Sequence, residues 1–367
     1  MEKYWSKDFY NPSGIYKESV AIKREVEEAR TRVAHALGVA SSGIIFTASG
    51  TESDNLAILG AYETVRHIQK KPHIIISAIE HPAVVGAAEE VVRRGGEMSV
   101  LGVDEEGRVS VEALKKLLKK NTFLVSIGLA NGEIGTVQSL SKIGRIIREY
   151  RKNNESPYPY LHTDASQAPN YLDISLESLQ ADLLTLDGSK IYGPKGVGVL
   201  AMRKGVKIHP IIFGGGQEGD RRSGTLNPAL ISGFACALDI ALRDREKESE
   251  RLNILRKYFI EQVRNRLSKA VINGSPENSL PNIISISLPD TLSEFVLLKL
   301  DKEGLLASVG SACSTLGRES GSPVIKALGK PELVESTIRL SFGRLTTMGE
   351  VKRAIEIFCL VGESVLK

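Results

Sequence analysis

A lysine lies at a glycine-rich turn directly after a predicted strand. The apolar run DLLTL (182–186) is typical of a buried strand, and the segment DGSKIYGPKGVG (187–198) places Lys190 just beyond its end. The ordinary interpretation of Lys190 is a solvated surface residue. The alternative is a chemical role for its amine, which depends on what the ends of the other predicted strands carry.

The segment TASGTESDN (47–55) joins a predicted strand to a predicted helix. Ser49 and Glu52 have the spacing of a capping box, which satisfies backbone amides in the first helical turn. In the alternative interpretation, Gly50 and Thr51 present backbone N–H groups to an anion at the helix N-terminus.

Another strand end carries a carboxylate. In TDASQ (163–167), Asp164 is either a turn former or a partner for a buried cation. A charge pair about 4 Å apart is worth roughly 4 kcal/mol at an effective dielectric constant of 20, before desolvation. Gln167 lies three residues further on and is expected to reach the same ligand.

Two further residues have both an ordinary and a chemical interpretation. His81, in EHPAV (80–84), is either a structural histidine or an acid–base or stacking group just beyond a strand end. Arg339, in the predicted strand TIRLSFGR (337–344), is either an edge residue or the bidentate partner of an anion such as a substrate carboxylate.

The chain contains three cysteines, which lie far apart. Their spacing excludes the usual zinc and iron–sulfur motifs and a disulfide framework, and predicts a reducing cytoplasm. Cys313 lies in the loop GSACSTLGRESGSP (310–323), which has little apolar sequence to bury it. The sequence is compatible with two roles for its thiol, an exposed nucleophile or an inert group. Cys236, in a helical pattern, is predicted to be a core residue.

Together these residues have a common chemical logic. They provide an anion-binding turn, a carboxylate for a cationic ring nitrogen, a lysine amine, and an arginine for a carboxylate. Pyridoxal phosphate (PLP) requires this combination, because the lysine forms a Schiff base with it and the carboxylate keeps its ring nitrogen protonated.

Composition places the chain among ordinary globular proteins. Its 367 residues include 42% hydrophobic and 25% charged residues, with a net charge of +4. No run of eighteen apolar residues predicts a membrane span, and the N-terminus lacks the pattern of a signal peptide. The mild positive charge comes without a nucleic-acid-binding motif, so neither a membrane nor a nucleic acid is an expected partner.

Buried strands alternate with amphipathic helices through most of the chain, which predicts an α/β domain with a mostly parallel sheet. A long helical pattern (228–269) then leads to a smaller α+β region. We therefore expect a large domain at 15–245 and a smaller one formed by 1–14 and 246–367. Ligands of open α/β sheets bind at the carboxyl ends of strands, where the residues above lie.

These motifs, in order, resemble those of the cysteine desulfurases of the NifS/IscS type, in the class V aminotransferase group. The resemblance covers nearly the whole chain and implies a fold-type I PLP enzyme with a seven-stranded type of sheet and a homodimer. Its markers are NPSG, TESDN, EHPAV, NGEIGTVQ, HTDASQ, KIYGPKG, GGGQE, RRSGT, GSACS and IRLSFGR.

The resemblance also implies roles. Lys190 would form the Schiff base, Asp164 would face the pyridinium nitrogen and Gln167 the ring hydroxyl, and His81 would stack on the ring and assist proton transfer. Arg339 and Asn131 would bind the substrate, and Cys313 would accept its sulfur. The phosphate would be held by Gly50, Thr51, Ser189 and, from the neighbouring subunit, Thr225.

The activity so implied converts L-cysteine to L-alanine and leaves a persulfide on Cys313. The long loop around Cys313 suits delivery of that sulfur to an acceptor or iron–sulfur scaffold protein, for cluster, thio-cofactor or tRNA synthesis. Two alternatives stay open: a related PLP lyase such as a selenocysteine lyase, and a PLP-binding scaffold with weakened activity.

Three departures from the family pattern motivate the second alternative. The family's usual strand and turn before NPSG is missing here, so we expect either that the segment lies outside this sequence or that the pocket is more open. Gly132 stands where an asparagine is usual. Ser189 replaces a histidine near the phosphate, and Asp187 replaces a phosphate-binding serine. Because a carboxylate repels a phosphate, we expect Asp187 to turn away or to pair with a cation.

Overall fold

The computed structural model describes residues 1–310 and 321–366. The chain forms two compact units, with a boundary after Arg245. Residues 1–14, which the sequence places with the smaller domain, lie in the larger unit instead. Unit 1 comprises Met1–Leu101, Val111–Leu129 and Ser139–Arg245, and unit 2 comprises Gly102–Ser110, Ala130–Gln138 and Glu246–Lys367.

Unit 1 alternates strands with helices, as predicted. Short 3₁₀ helices cover Ser41–Gly43 and Gly188–Ile191. Its strands are β1 Ile44–Thr47, β2 His73–Ser77, β3 Glu97–Leu101, β4 Thr122–Ser126, β5 Tyr160–Asp164, β6 Leu183–Asp187 and β7 Gly198–Met202. Its helices are α1 Lys3–Ser6, α2 Lys17–Leu37, α3 Gly50–Val65, α4 Pro82–Arg93, α5 Val111–Leu117, α6 Leu140–Asn153, α7 Leu176–Leu179, α8 Gln217–Asp220 and the first part of α9 Pro228–Arg266.

The strands of unit 1 form one seven-stranded sheet in the order β1-β7-β6-β5-β4-β2-β3. Only β7 runs antiparallel to its neighbours, β1 and β6; the other pairs are parallel. The predicted mostly parallel sheet is therefore confirmed. Since β1 and β6 both oppose β7, they run in the same direction, and the carboxyl ends of all strands except β7 meet at one edge.

Sequence periodicity accounts for most of these elements. In α2, Ile22, Val26 and Val33 recur on one face and are buried. The helix ends at Gly38, which adopts a left-handed φ of 67°. The run TFLVSIGLA predicts a strand over 122–130, but β4 ends at Ser126. The apolar residues beyond it are buried as well, so their hydrophobicity reflects the core rather than a longer strand.

Helix α3 packs against the sheet through an almost fully buried surface. Leu56 and Ile58 in this helix belong to the same core cluster as Ile74 in β2 and Phe123 in β4. Parallel strands covered by helices on both faces have the continuous apolar sequences seen here. This packing holds the N-terminus of α3 at the edge where the strands end.

Unit 2 is a smaller α+β structure, also as predicted. Its strands form the antiparallel sheet β10-β11-β9-β8, and a 3₁₀ helix covers Pro331–Leu333. The elements are β8 Val271–Asn273, β9 Ile283–Ser287, α10 Ser293–Lys302, β10 Ser308–Val309, α11 Pro323–Ala327, β11 Thr337–Ser341, α12 Met348–Val365 and the remainder of α9.

The prediction that Cys236 is a core residue is wrong. Its side chain is exposed on α9, while Phe234, Ala235 and Leu238 are buried. The helical period turns position 236 away from these neighbours. Cys359, in α12, is buried. In the part of the chain that the structure describes, no helix is both long and apolar enough to cross a membrane.

Candidate active site

In unit 1, the candidate functional residues follow strands whose carboxyl ends meet at one edge of the sheet. The turn at Ser49 follows β1, His81 follows β2, Asp164 ends β5 and Lys190 follows β6. Parallel pairing aligns Asp164 of β5 with Thr185 of β6. The topology therefore explains why residues far apart in sequence face one edge of the sheet.

Asp164, His81 and Asp54 lie close together. One side-chain oxygen or nitrogen from each falls within 4.8 Å of the others. Asp164 Oδ1 accepts a hydrogen bond of 2.9 Å from the Ser166 N–H, which fixes the carboxylate at the end of β5. Asp54, on α3, is buried, whereas His81 is exposed. The sequence singled out Asp164 and His81 but missed Asp54.

His81 begins helix α4. Its Nδ1 accepts a 3.2 Å hydrogen bond from the Ala83 N–H, and Pro82 occupies the first helical position. Because Nδ1 is the acceptor, the neutral ring carries its proton on Nε2. The exposed His81 ring thus has a defined orientation and one nitrogen available for proton exchange.

Negative charge accumulates around Asp164. Burial, and then the neighbouring Asp164 carboxylate, raise the pKa of Asp54 well above its ordinary value. Desolvation also raises the pKa of Glu80 to about 7, although the Ser77 hydroxyl and the Gly128 N–H donate hydrogen bonds to its carboxylate. We call Asp54, Glu80 and Asp164 the acidic group.

No cationic side chain among the described residues forms an ion pair with the acidic group. His162 Nε2 lies 3.6 Å from Asp54 Oδ1, but burial lowers the pKa of His162 to about 3, so its ring is neutral. Asp54 Oδ1 is buried without a hydrogen-bond partner. An uncompensated buried carboxylate is costly, and it indicates a site for a cation, either a metal ion or a protonated heterocycle.

Lys190 lies in the 3₁₀ turn Gly188–Ile191 that follows β6. Its backbone carbonyl accepts a 2.9 Å hydrogen bond from the Asn170 side chain, which anchors the turn. The Lys190 side chain is exposed, and its amine has no hydrogen bond or ion pair within residues 1–310 and 321–366. The amine is therefore available to a ligand.

The turn before α3 satisfies only part of the predicted capping box. The Ser49 hydroxyl accepts a 3.2 Å hydrogen bond from the Glu52 N–H. The Glu52 carboxylate, however, accepts from the Ala48 N–H rather than from Ser49. It also pairs with Arg222 at 2.7 Å, which ties the RRSGT segment to the start of α3.

The expectation for Asp187 is wrong. Its carboxylate faces the helix N-terminus, where Oδ2 accepts a 2.8 Å hydrogen bond from the Gly50 N–H. Oδ1 accepts from the Ser189 N–H at 2.8 Å and from the Ser189 hydroxyl at 2.6 Å. Asp187 thus neither turns away nor pairs with a cation in the described part of the chain, because backbone N–H groups take the cation's place.

The other residues assigned to the cofactor have simpler surroundings. Gln167 is half-buried, and Thr51 and Thr225 are exposed. The Thr51 N–H has no acceptor within the described residues. The nearby GGGQE motif is structural, since Glu218 forms a buried ion pair with Arg30 at 2.7 Å and accepts from the Phe46 N–H.

In unit 2, the side chains of Asn131 and Arg339 form hydrogen bonds with the backbone of the same turn. Asn131 Oδ1 accepts hydrogen bonds from the Glu133 and Ile134 N–H groups, at 2.8 and 2.9 Å, so this side chain shapes the turn. Arg339, paired with Ser308 and Ser285 of its neighbouring strands, donates a 3.0 Å hydrogen bond to the Gly132 carbonyl. The half-buried guanidinium is oriented by that contact.

Glu133 adds a buried carboxylate to this part of unit 2. It accepts a 2.5 Å hydrogen bond from the Ser322 hydroxyl. Burial raises the pKa of Glu133, and Arg339 partly offsets that effect. Cys313, the candidate nucleophile, lies outside the described residues.

Sequence reasoning missed two carboxyl groups of the site, the buried Asp54 and the half-buried Glu80. Each is next to, or one helical turn from, a residue that was identified: Glu80 precedes His81, and Asp54 follows Thr51 by three positions on α3. An acidic residue in an otherwise buried segment was the available signal.

An α/β sheet whose strand ends carry a lysine, a histidine and carboxylates without a cationic partner among the described residues forms a candidate enzyme site. The chain belongs to the aminotransferase class-V family, which matches residues 1–354. The family predicted from the sequence motifs is confirmed.

Similar relatives within this family are cysteine desulfurases. The chain is 41% identical to cysteine desulfurase IscS of Dictyoglomus turgidum, over 97% of this chain and 88% of the relative. It is 36% identical to cysteine desulfurase IscS 1 of Archaeoglobus fulgidus, over 97% and 91% of the two chains.

Solved structures agree with the sequence relatives. A NifS-like protein superposes with a TM-score of 0.89 at 32% identity, covering 98% of this chain and 93% of the other. A structure of SspA in complex with cysteine superposes with a TM-score of 0.79 at 30% identity, covering 93% of each chain.

Proposed function

We propose that this protein is a PLP-dependent cysteine desulfurase. The observation that carries the proposal is the acidic group at the carboxyl edge of the sheet, where Asp54 Oδ1 is buried without a partner. The pyridinium ring of PLP supplies the positive charge that this group lacks. The relatives named cysteine desulfurase IscS support the choice of reaction.

The residues of unit 1 fit the ring of the cofactor. Asp164 would face the ring nitrogen and keep it protonated, with the buried carboxyl group of Asp54 behind it. The free amine of Lys190 would hold the cofactor covalently, and Gln167 would bind the ring hydroxyl. Bound in this way, PLP supplies an electron sink that makes the α-proton of an amino acid acidic.

His81 and Arg339 would act on the substrate. The orientation of the His81 ring leaves one nitrogen available to exchange protons, and its exposed face would stack on the cofactor. The Arg339 guanidinium would bind the carboxylate of L-cysteine, with Asn131 shaping the adjacent turn. The structure of SspA with cysteine supports the choice of this substrate class.

Cys313 would accept the sulfur. The Cys313 thiolate attacks the substrate sulfur, a sulfur–sulfur bond forms, and the carbon–sulfur bond breaks. Its electron pair returns to the carbon, which takes up a proton and leaves as L-alanine. The resulting persulfide would pass to an acceptor or iron–sulfur scaffold protein, and the chemistry of a thiol acceptor suits a reducing cytoplasm.

We also propose that the chain acts as a homodimer. Several large apolar side chains of unit 1 are exposed, including Trp5 at 62%, Phe9 at 66% and Phe213 at 80%. Their burial against a second copy would be favourable. Thr225 is also exposed, in keeping with its assignment to a neighbouring subunit's phosphate site.

The deciding experiment incubates the purified protein, reconstituted with PLP, with L-cysteine and a thiol reductant, and measures sulfide and alanine. We expect equal amounts of both products. Cys313→Ser should lose both products, and Lys190→Ala should in addition lose the visible absorbance of the bound cofactor. Cys236→Ser is the matched control, because Cys236 is an exposed thiol outside the site.

Two results would contradict the proposal. If PLP binds but neither product forms, and Cys313→Ser behaves like the unaltered protein, the chain is a PLP-binding scaffold. If turnover requires L-selenocysteine and L-cysteine is inert, the protein is a selenocysteine lyase.

A further inference from the structure

The N-terminus of α3 already holds a carboxylate of this chain. Asp187 Oδ2 accepts the Gly50 N–H at 2.8 Å, and a Cβ atom added to Gly50 would lie 3.2 Å from that same oxygen. No atom fits between them. The amide assigned to a cofactor phosphate is therefore in use within the protein itself.

This contact is built into the sheet. Gly198 of β7 pairs with Thr47 at the end of β1 and with Asp187 at the end of β6, so the three strand ends are aligned. A Cβ atom on Gly198 would approach the Ser49 carbonyl carbon to 2.4 Å, which shows how closely the turn before α3 lies against β7. Only rotation of the Asp187 side chain can free the Gly50 amide.

The charge of Asp187 is held by neutral donors. Besides Gly50, its carboxylate accepts from the N–H and hydroxyl of Ser189. Within the described residues it forms no ion pair, and Arg222, which contacts the start of α3, pairs with Glu52 instead. An entering phosphate would meet an unneutralised carboxylate and would lose both Gly50 and Ser189 as donors.

We propose that Asp187 is an internal competitor for the phosphate of the cofactor, and that this protein consequently binds unphosphorylated pyridoxal unusually well compared with PLP. The inference rests on the proposed function, because it assumes a pyridoxal aldehyde held by Lys190. It concerns the phosphate end of that site and leaves the roles at the ring unchanged.

The test compares two aldehydes. The purified protein is freed of bound aldehyde with hydroxylamine, dialysed, and titrated separately with PLP and with pyridoxal, while the visible absorbance of the Schiff base reports Kd. The variants are Asp187→Ser, which removes the carboxylate, and Asp187→Asn, which removes the charge but keeps the shape and an acceptor oxygen. Asp173→Asn is the matched control, since Asp173 accepts the N–H two residues on in the same way, at 3.0 Å.

We expect Asp187→Ser to tighten PLP binding about tenfold or more relative to pyridoxal, because repulsion between close charges is lost. Asp187→Asn should show a smaller gain of the same sign, and it tests the charge if the serine variant fails to fold. Asp173→Asn should leave the ratio of the two Kd values unchanged.

An unchanged Kd ratio in both Asp187 variants, with both aldehydes bound, would overturn the inference and leave the proposed function intact. If neither aldehyde produces a Schiff base in any variant, the proposed function fails, and the inference fails with it.

Discussion

Two sets of carboxylates in unit 1 differ in how their charge is balanced. Glu218 pairs with Arg30 and accepts the Phe46 N–H, and Asp187 accepts from Gly50 and Ser189. The acidic group of Asp54, Glu80 and Asp164 has hydrogen-bond donors but no cation among the described residues. We call Glu218 and Asp187 the balanced set.

The difference separates residues that complete the fold from residues prepared for a ligand. A carboxylate whose oxygens are all satisfied has little to gain from a ligand, whereas a buried carboxyl oxygen without a partner, such as Asp54 Oδ1, gains when a cation arrives. The raised pKa values of Asp54 and Glu80 distinguish the acidic group. The balanced set lies at the side of the sheet formed by β1, β6 and β7. The resemblance to the family would place the phosphate there, where a ligand has less binding free energy to gain.

The difference between the two sets is tested most directly by removing one carboxyl group from each. Glu218→Gln should lower the free energy of unfolding by about 3 kcal/mol, because Arg30 loses its buried partner. Asp54→Asn should be neutral or stabilising, since the amide has the same shape and replaces a carboxyl whose charged form is disfavoured by burial and by Asp164. Urea denaturation of the cofactor-free protein measures both, and equal losses in the two variants would show that the sets do not differ.

A second change tests whether the acidic group serves a ligand. If Asp164 faces the ring nitrogen as proposed, Asp164→Asn should lower kcat/KM for L-cysteine about a hundredfold, because that nitrogen would lose its anionic partner. The cofactor-free variant should unfold at the same or a higher temperature, since repulsion of Asp54 is relieved. Asp173→Asn, which removes a similar turn carboxylate, is the control for both measurements. A variant that loses stability and activity in parallel would favour a structural role for Asp164.

The smallest expected effect is a pH dependence caused by Glu80. In the folded protein this carboxyl holds its proton up to about pH 7, whereas in the unfolded chain it loses it near the ordinary value of 4.5. The folded state binds more protons between these values, so the free energy of unfolding should fall as the pH rises from 4.5 to 7. The expected loss is about 1.4 kcal/mol for each pH unit between these values.

Glu80→Gln should flatten this part of the pH profile of the cofactor-free protein. The glutamine side chain has no proton to lose in this range and keeps an oxygen for the Gly128 N–H. Denaturation in urea at a series of pH values measures the slope. An identical slope in the variant would mean that other groups cause the pH dependence.

Much of the fold could be predicted because its signals are local. Strands β2, β3 and β5 coincide with the apolar runs HIIIS, EMSVL and YLHTD, and α2 stops at Gly38. Strand β7 was missed, since its short apolar run directly follows a glycine-rich turn. Cys236 was placed in the core from the average composition of its helix, although the face of a helix on which a residue lies decides its burial.

The candidate site was predicted in part, for the same reason. Lys190, Asp164 and His81 each follow a strand, and a parallel sheet gathers such positions at one edge. The partners of a carboxylate are not local: Asp187 meets Gly50 across 137 positions of sequence, and Arg30 meets Glu218 across 188. Those pairs determine whether a charge is balanced, and the sequence alone does not display them.

The order of motifs along the chain determined the family, the alternation of strands and helices, and the residue types that face a ligand, because each depends on neighbours within a few positions. Only the tertiary structure decided which of the carboxylates are satisfied. The pairing of β7 with both β1 and β6 brings Asp187 to the Gly50 amide, and burial against the sheet leaves Asp54 Oδ1 without a hydrogen-bond partner. Charge balance depends on distance and solvent exclusion, and both are properties of the folded chain.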